Sequence, residues 1–125
     1  MTEARAELKN YRQSPRKVRL VADTVKGKRV SEALTLLSFV PKRAALPLQK
    51  LLASAVANAK NLSLVEENLI VKEMRVDAGA TLYRRQPRSR GMANPLRKRT
   101  SQVRVVLVEG APKKMKKAKA EEKSA

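Results

Sequence analysis

The fold follows from residues 77–109, DAGATLYRRQPRSRGMANPLRKRTSQVRVVLVE. Asp77 and Glu109 are acidic, and no residue between them is. Inside that gap lie Arg84, Arg85, Arg88, Arg90, Arg97, Lys98, Arg99 and Arg104, and seven of these eight are arginine. A guanidinium is planar and always charged, so it pairs bidentately with phosphate and stacks on bases. Pro87, Gly91 and Pro95 argue against a helix here. The last residues alternate, with Val103, Val105 and Leu107 on one face and Arg104, Val106 and Val108 on the other. Residues 69–77, rich in Ile, Val and Met, read as a strand as well. A basic segment between two strands predicts a long β-hairpin over about 78–103, its tip near residues 90–94. Arms of about a dozen residues at ~3.3 Å each would reach on the order of 40 Å. Two strands alone are marginal and these charges repel, so the arm would order against a polyanion. The alternative, a solvated disordered loop, conflicts with the rarity of long structureless loops in compact domains.

The residues before the hairpin supply a body for it. Residues 4–11 place Ala4, Ala6 and Leu8 on alternate positions, a weak strand pattern. Ser14-Pro15 then starts a helix, the serine oxygen free to accept an orphan N–H and the proline fitting the first helical position. Val18, Val21, Ala22 and Val25 recur at helical spacing, and Gly27 stands where a left-handed terminator belongs. A second helix from about Ser31, with Ala33, Leu34 and Leu37 inward, stops at Pro41. The longest, residues 42–61, carries Ala44, Leu48, Leu51, Leu52, Ala55, Val56 and Ala59 as its apolar stripe, and Pro47 should kink or fray its first turn. Three helices on one face of a three-stranded antiparallel sheet make an α+β fold with a long protruding basic β-hairpin. Residues 1–110 are expected to be one domain, and the Lys-rich residues 111–125 a mobile tail.

Charge and composition narrow the function. The chain has 125 residues and a formal net charge of +18, a field that attracts nucleic acid. The hairpin arginines are one candidate contact. A second is the cluster Arg12, Arg16, Lys17, Arg19, Lys26, Lys28 and Arg29, offset only by Asp23. Aromatics are 2% of the chain, too few for a single-strand binder that stacks successive bases, so recognition should act through shape, phosphates and 2′-hydroxyls. A membrane-surface reading needs bulky apolar helix faces, whereas these are Ala-rich. No run approaches the ~20 apolar residues of a span, and residues 1–8 lack the apolar core of a signal peptide, so a cytoplasmic protein is expected. Without cysteine or histidine there is no thiolate zinc site, no disulfide and no Ser-His or Cys-His nucleophile. The acidic residues form no compact pair for metal or acid–base work, so neither an enzyme, a cofactor nor a small-molecule substrate is expected. A helix-turn-helix rival would use the helices joined at Val40-Pro41, but Ala44, Ala45 and Leu46 give little polar surface beyond Lys42 and Arg43.

Four separated stretches are more specific. Ser14-Pro15-Arg16-Lys17-Val18-Arg19-Leu20-Val21-Ala22 with Lys26-Gly27-Lys28 resembles the first helix of the universal large-subunit ribosomal protein family numbered twenty-two. Ala53-Ser54-Ala55-Val56-Ala57-Asn58-Ala59 is similar to that family's third helix. Pro87-Arg88-Ser89-Arg90-Gly91 and Leu96-Arg97-Lys98-Arg99-Thr100-Ser101 resemble the two sides of its hairpin. The resemblance covers residues of about 4–109. It implies a globular body on the outside of the large subunit and a hairpin running inward along the exit tunnel. It further implies contacts with large-subunit ribosomal RNA and neighbouring ribosomal proteins, a part in early assembly, and a tip beside the nascent polypeptide. Carried over, Arg84, Arg88, Arg90, Arg97, Lys98 and Arg99 would meet RNA, and Ser89, Arg90, Gly91, Met92 and Ala93 would form the tip at the tunnel wall. Two departures stand out: Ala78-Gly79-Ala80 where Glu-Gly-Pro is common, and Gln102 where histidine is common. Neither removes a phosphate contact.

Overall fold

Apolar spacing places the helices and the body strands of the computed structural model, which describes residues 2–110; the basic tail expected at 111–125 lies outside the described residues. In chain order these are β1 (Glu3–Tyr11), α1 (Pro15–Val25), α2 (Val30–Phe39), α3 (Ala45–Asn61), β2 (Leu69–Ala78), β3 (Leu82–Pro87), β4 (Ala93–Lys98) and β5 (Ser101–Glu109). Helices and antiparallel strands segregate, so the fold is α+β. The body sheet has the order β1–β5–β2, with Ala6 opposite Val105 and Val76 opposite Val103. α3 lies over β1 and β5, α1 over β2, and α2 packs beside α3. Their inward faces share one apolar cluster, in which Leu37, Leu48, Leu52, Leu69, Met74 and Leu107 are fully buried. Each such side chain contributes on the order of 1.5–3 kcal/mol of transfer free energy.

The helix ends depart from the sequence reading in two places. The Ser14 side chain makes no capping hydrogen bond; only its carbonyl enters the helix, accepting from the Val18 N–H at 3.2 Å. Pro15, with φ already near the helical value, starts α1 without a serine cap. α3 begins at Ala45, three residues later than the expected start at residue 42, although Ala44 is buried as expected. Pro47 therefore falls in the first turn, where backbone N–H groups have no helical acceptor, and it removes no ladder bond. Gly27 does terminate α1 with φ 74°, and its N–H donates to the Val71 carbonyl at 2.9 Å. Val71 N–H returns a bond to the Lys28 carbonyl at 3.0 Å, so the α1–α2 turn covers part of the free edge of β2.

Within the expected hairpin the paired ladder is shorter than a dozen residues per arm, and its turn lies at the early end of the expected tip. β3 and β4 form their own two-stranded ladder, from Leu82 opposite Lys98 to Pro87 opposite Ala93. Ala78, Ser101, Gln102 and Val103 belong instead to the body sheet, where Ala78 pairs with Ser101 and Val76 with Val103. The register changes by one residue across the junction, which breaks a continuous ladder into two sheets. Each six-residue strand spans roughly 20 Å, about half the reach expected from a dozen paired residues. The turn centres on Arg90, whereas Asn94 pairs with Gln86 inside the ladder. Pro87 and Pro95 are tolerated because both edges of a two-stranded ribbon are free.

Candidate nucleic-acid interface

The basic hairpin is rooted in a small polar junction. Thr100 and Ser101 are the only buried polar residues among those described, at 5% and 0% exposure. Ser101 Oγ donates to the Gln13 carbonyl at 2.6 Å, and the Thr100 hydroxyl donates to the Ala80 carbonyl. Gly79 N–H donates to the Thr100 carbonyl at 2.9 Å. A Cβ on Gly79 would stand 2.5 Å from Thr100 Oγ1, so the close approach requires glycine. Gln102 adds a tie to the irregular end of β1, donating to Asn10 Oδ1 at 2.9 Å and accepting from Asn10 N–H at 3.2 Å. Sequence reading assigned no role to these residues. The available signal was a short polar pair, Thr100-Ser101, wedged between a basic run and an apolar strand.

Beyond this root every residue of β3 and β4 is exposed. The tip is a single 3-10 turn, Ser89–Gly91, closed by Arg88 N–H donating to the Met92 carbonyl at 2.6 Å. Arg90 and Gly91 have φ of 59° and 70°. A non-glycine residue in that region is strained by about 1–2 kcal/mol, which the turn imposes on Arg90. Of the expected tip residues, Ser89, Arg90, Gly91 and Met92 lie in the turn and Ala93 opens β4. Arg84, Arg85, Arg97 and Lys98 lie on the strands, Arg88 at the tip and Arg99 in the junction.

The second cluster is divided by the fold. Arg12 lies before α1, and Arg16 and Lys17 stand on its first turn, beside the positive end of the helix dipole. Lys26, Lys28 and Arg29 follow its other end, roughly 16 Å away for an eleven-residue helix. Arg19 is partly engaged within the fold, its Nε and Nη2 donating to the Val76 carbonyl at 3.2 and 3.0 Å. Lys26 pairs with Asp23 at 3.0 Å.

Ion pairs separate this basic surface from the rest. Those found among the described residues use Arg5, Lys26, Lys60, Lys72, Arg75 and Arg104, and none uses a hairpin arginine of residues 84–99. Arg104, part of the acid-free stretch in sequence, sits on the outer face of the body sheet and pairs with Glu7 at 2.7 Å. Glu3 on that face is held down to about 2 from an ordinary 4.5 by Lys72 first and Arg5 second, both hydrogen-bonded to its carboxylate. Glu3, Glu7 and Asp77 are thus matched on the sheet, while no hairpin cation of residues 84–99 meets a carboxylate among the described residues; Arg84 and Arg88 donate only to the Tyr83 carbonyl and to Gln86 Oε1. Among the described residues, no group of three acidic side chains is placed to hold a metal ion, and no helix is long and apolar enough to cross a membrane.

Comparison with known proteins agrees with this geometry. Residues 6–108 match the family model described as ribosomal protein L22p/L17e. The chain is 52% identical over 110 residues to the large ribosomal subunit protein uL22 of Desulfitobacterium hafniense strain Y51, covering 87% of this chain and 96% of that one. It is 49% identical over 110 residues to the protein of the same name from Lactobacillus helveticus, of which 94% is covered. The corresponding protein of Lactobacillus delbrueckii subsp. bulgaricus is 51% identical over the same length. The chain therefore belongs to the ribosomal protein L22p/L17e family: it is a structural constituent of the large subunit of the cytoplasmic ribosome, and not an enzyme.

Proposed function

We propose that this chain binds large-subunit ribosomal RNA chiefly through phosphate contacts made by the hairpin and by the two ends of α1. The observation that carries this reading is the hairpin itself: exposed along both strands, free of acidic residues, and with its arginines outside every ion pair described. Such a segment is costly to leave unneutralised and is matched by a folded RNA around it. Arg84, Arg85, Arg88, Arg90, Arg97, Lys98 and Arg99 are the hairpin contacts; Arg12, Arg16, Lys17, Arg19, Lys26, Lys28 and Arg29 are those of the body. Residues 1–110 act as the RNA-binding unit, with neighbouring ribosomal proteins beside the body. By the family resemblance the tip, residues 89–93, lines the polypeptide exit tunnel near the nascent chain, and the protein supports assembly. Ultraviolet cross-linking of intact large subunits, read by mass spectrometry, tests this assignment. RNA adducts are expected on the peptides spanning residues 84–99 and 12–29. Adducts confined to α2, α3 and the outer sheet face would contradict it.

A further inference from the structure

The chain has three aromatic residues. Tyr11 packs against the core and its hydroxyl donates to Gln13 Oε1 at 2.9 Å. Phe39 ends α2. Phe39 is exposed there too, but Tyr83 is the aromatic on the basic hairpin: it is 61% exposed on β3, and its hydroxyl makes no hydrogen bond among the described residues. A tyrosine with neither a packed ring nor a bonded hydroxyl contributes little to the fold.

The hairpin register fixes what surrounds that ring. Opposed residues of an antiparallel pair share a face, so Tyr83 and Arg97, Arg85 and Pro95, and Pro87 and Ala93 lie together. This face holds a phenol ring, two guanidiniums and two prolines, while the hairpin amides of Gln86 and Asn94 lie on the other. Beside the ring is an open hollow of about 460 Å³, lined by Tyr83, Arg84, Arg85, Ala93 and Pro95. Flat rings and guanidinium planes stack on nucleobases, and the same guanidiniums hold the flanking phosphates.

We propose that Tyr83, flanked by Arg85 and Arg97, is a stacking platform for one unpaired base of the large-subunit RNA. The inference rests on the RNA-binding reading above and adds a base contact to it. Phosphates repeat along any RNA helix and do not fix where the hairpin stops. One splayed base does, so Tyr83 sets the register of the arm.

Large subunits assembled with the full-length chain, as wild type, Tyr83→Leu or Tyr83→Phe, provide the test by 2′-hydroxyl acylation of their RNA. One unpaired nucleotide should be unreactive with wild type and Tyr83→Phe, and reactive with Tyr83→Leu. Purified Tyr83→Leu should also bind large-subunit RNA roughly fivefold or more weakly, the order of one lost stack. An unchanged reactivity profile with Tyr83→Leu overturns the proposal, as does a Tyr83→Phe that behaves like leucine. Loss of nascent-peptide cross-links without any RNA change overturns it in favour of a peptide contact. Should Tyr83→Leu fail to enter particles, Tyr11→Phe leaves Tyr83 the sole tyrosine in a chain without tryptophan. Fluorescence quenched on adding large-subunit RNA then supports stacking, and unquenched fluorescence overturns it. A Tyr83→Leu that keeps the steep salt dependence of binding but leaves RNA reactivity unchanged refutes the stack alone; a salt-insensitive wild type refutes the underlying RNA reading.

Discussion

Gly79 and Thr100 meet so closely that a single methyl group is felt. Gly79→Ala puts a Cβ 2.5 Å from Thr100 Oγ1, and the clash displaces the hydroxyl from the Ala80 carbonyl. The expected loss is about 1–3 kcal/mol, the usual cost of overpacking, read from urea unfolding of the purified chain. A midpoint equal to wild type would show that the junction is slack. Glu3 makes a second prediction, this one in pH. Its folded value of about 2 lies below the ordinary 4.5, so the ionised folded state is favoured. Its contribution is therefore complete above about pH 4.5 and is lost as pH falls toward about 2. Glu3→Gln should remove that part of the acid sensitivity, and the wild-type and variant stability curves should converge at the acid end. Parallel curves across that range would mean that Lys72 and Arg5 do not hold the carboxylate in solution.

The hairpin and body behave as separate elements, because β3 and β4 pair only with each other in the ladder while the core lies under β1, β5 and β2. Reversing charge at the tip with Arg88→Glu and Arg90→Glu should thus leave stability within about 0.5 kcal/mol, as for other exposed sites. The same change should reduce incorporation into large subunits, measured by quantitative mass spectrometry of gradient fractions. A melted body would instead join the arm to the core. The elements themselves were legible where periodicity is strong: Leu48, Leu51, Leu52, Ala55, Val56 and Ala59 marked α3, and the alternation about Val103, Val105 and Leu107 marked β5. Periodicity is silent about register. It could not reveal that the ladder breaks between Ala78 and Leu82, where Gly79 and Thr100, far apart in the chain, approach closely. Nor could it separate a serine cap from a proline start at Ser14-Pro15, since both leave the same dipeptide.

Across the whole molecule, charge is sorted by surface. A net +18 is distributed so that Glu3, Glu7 and Asp77 face cations on the outer sheet, while residues 84–99 and the ends of α1 carry most of the excess. The sign and the acid-free stretch were visible in the sequence. The pairing of Arg104 with Glu7 was not, because those residues are far apart in the chain and meet only through the β1–β5 register. The sorting has a thermodynamic consequence: each phosphate neutralised releases condensed counterions, so affinity depends steeply on salt. The decisive measurement is the affinity of the purified full-length chain for large-subunit RNA across a salt series. With about eight of the assigned cations each neutralising a phosphate, log affinity should fall against log salt with a slope of roughly −6 to −7. A flat or shallow slope would contradict the assignment of the hairpin and α1 cations to RNA phosphates.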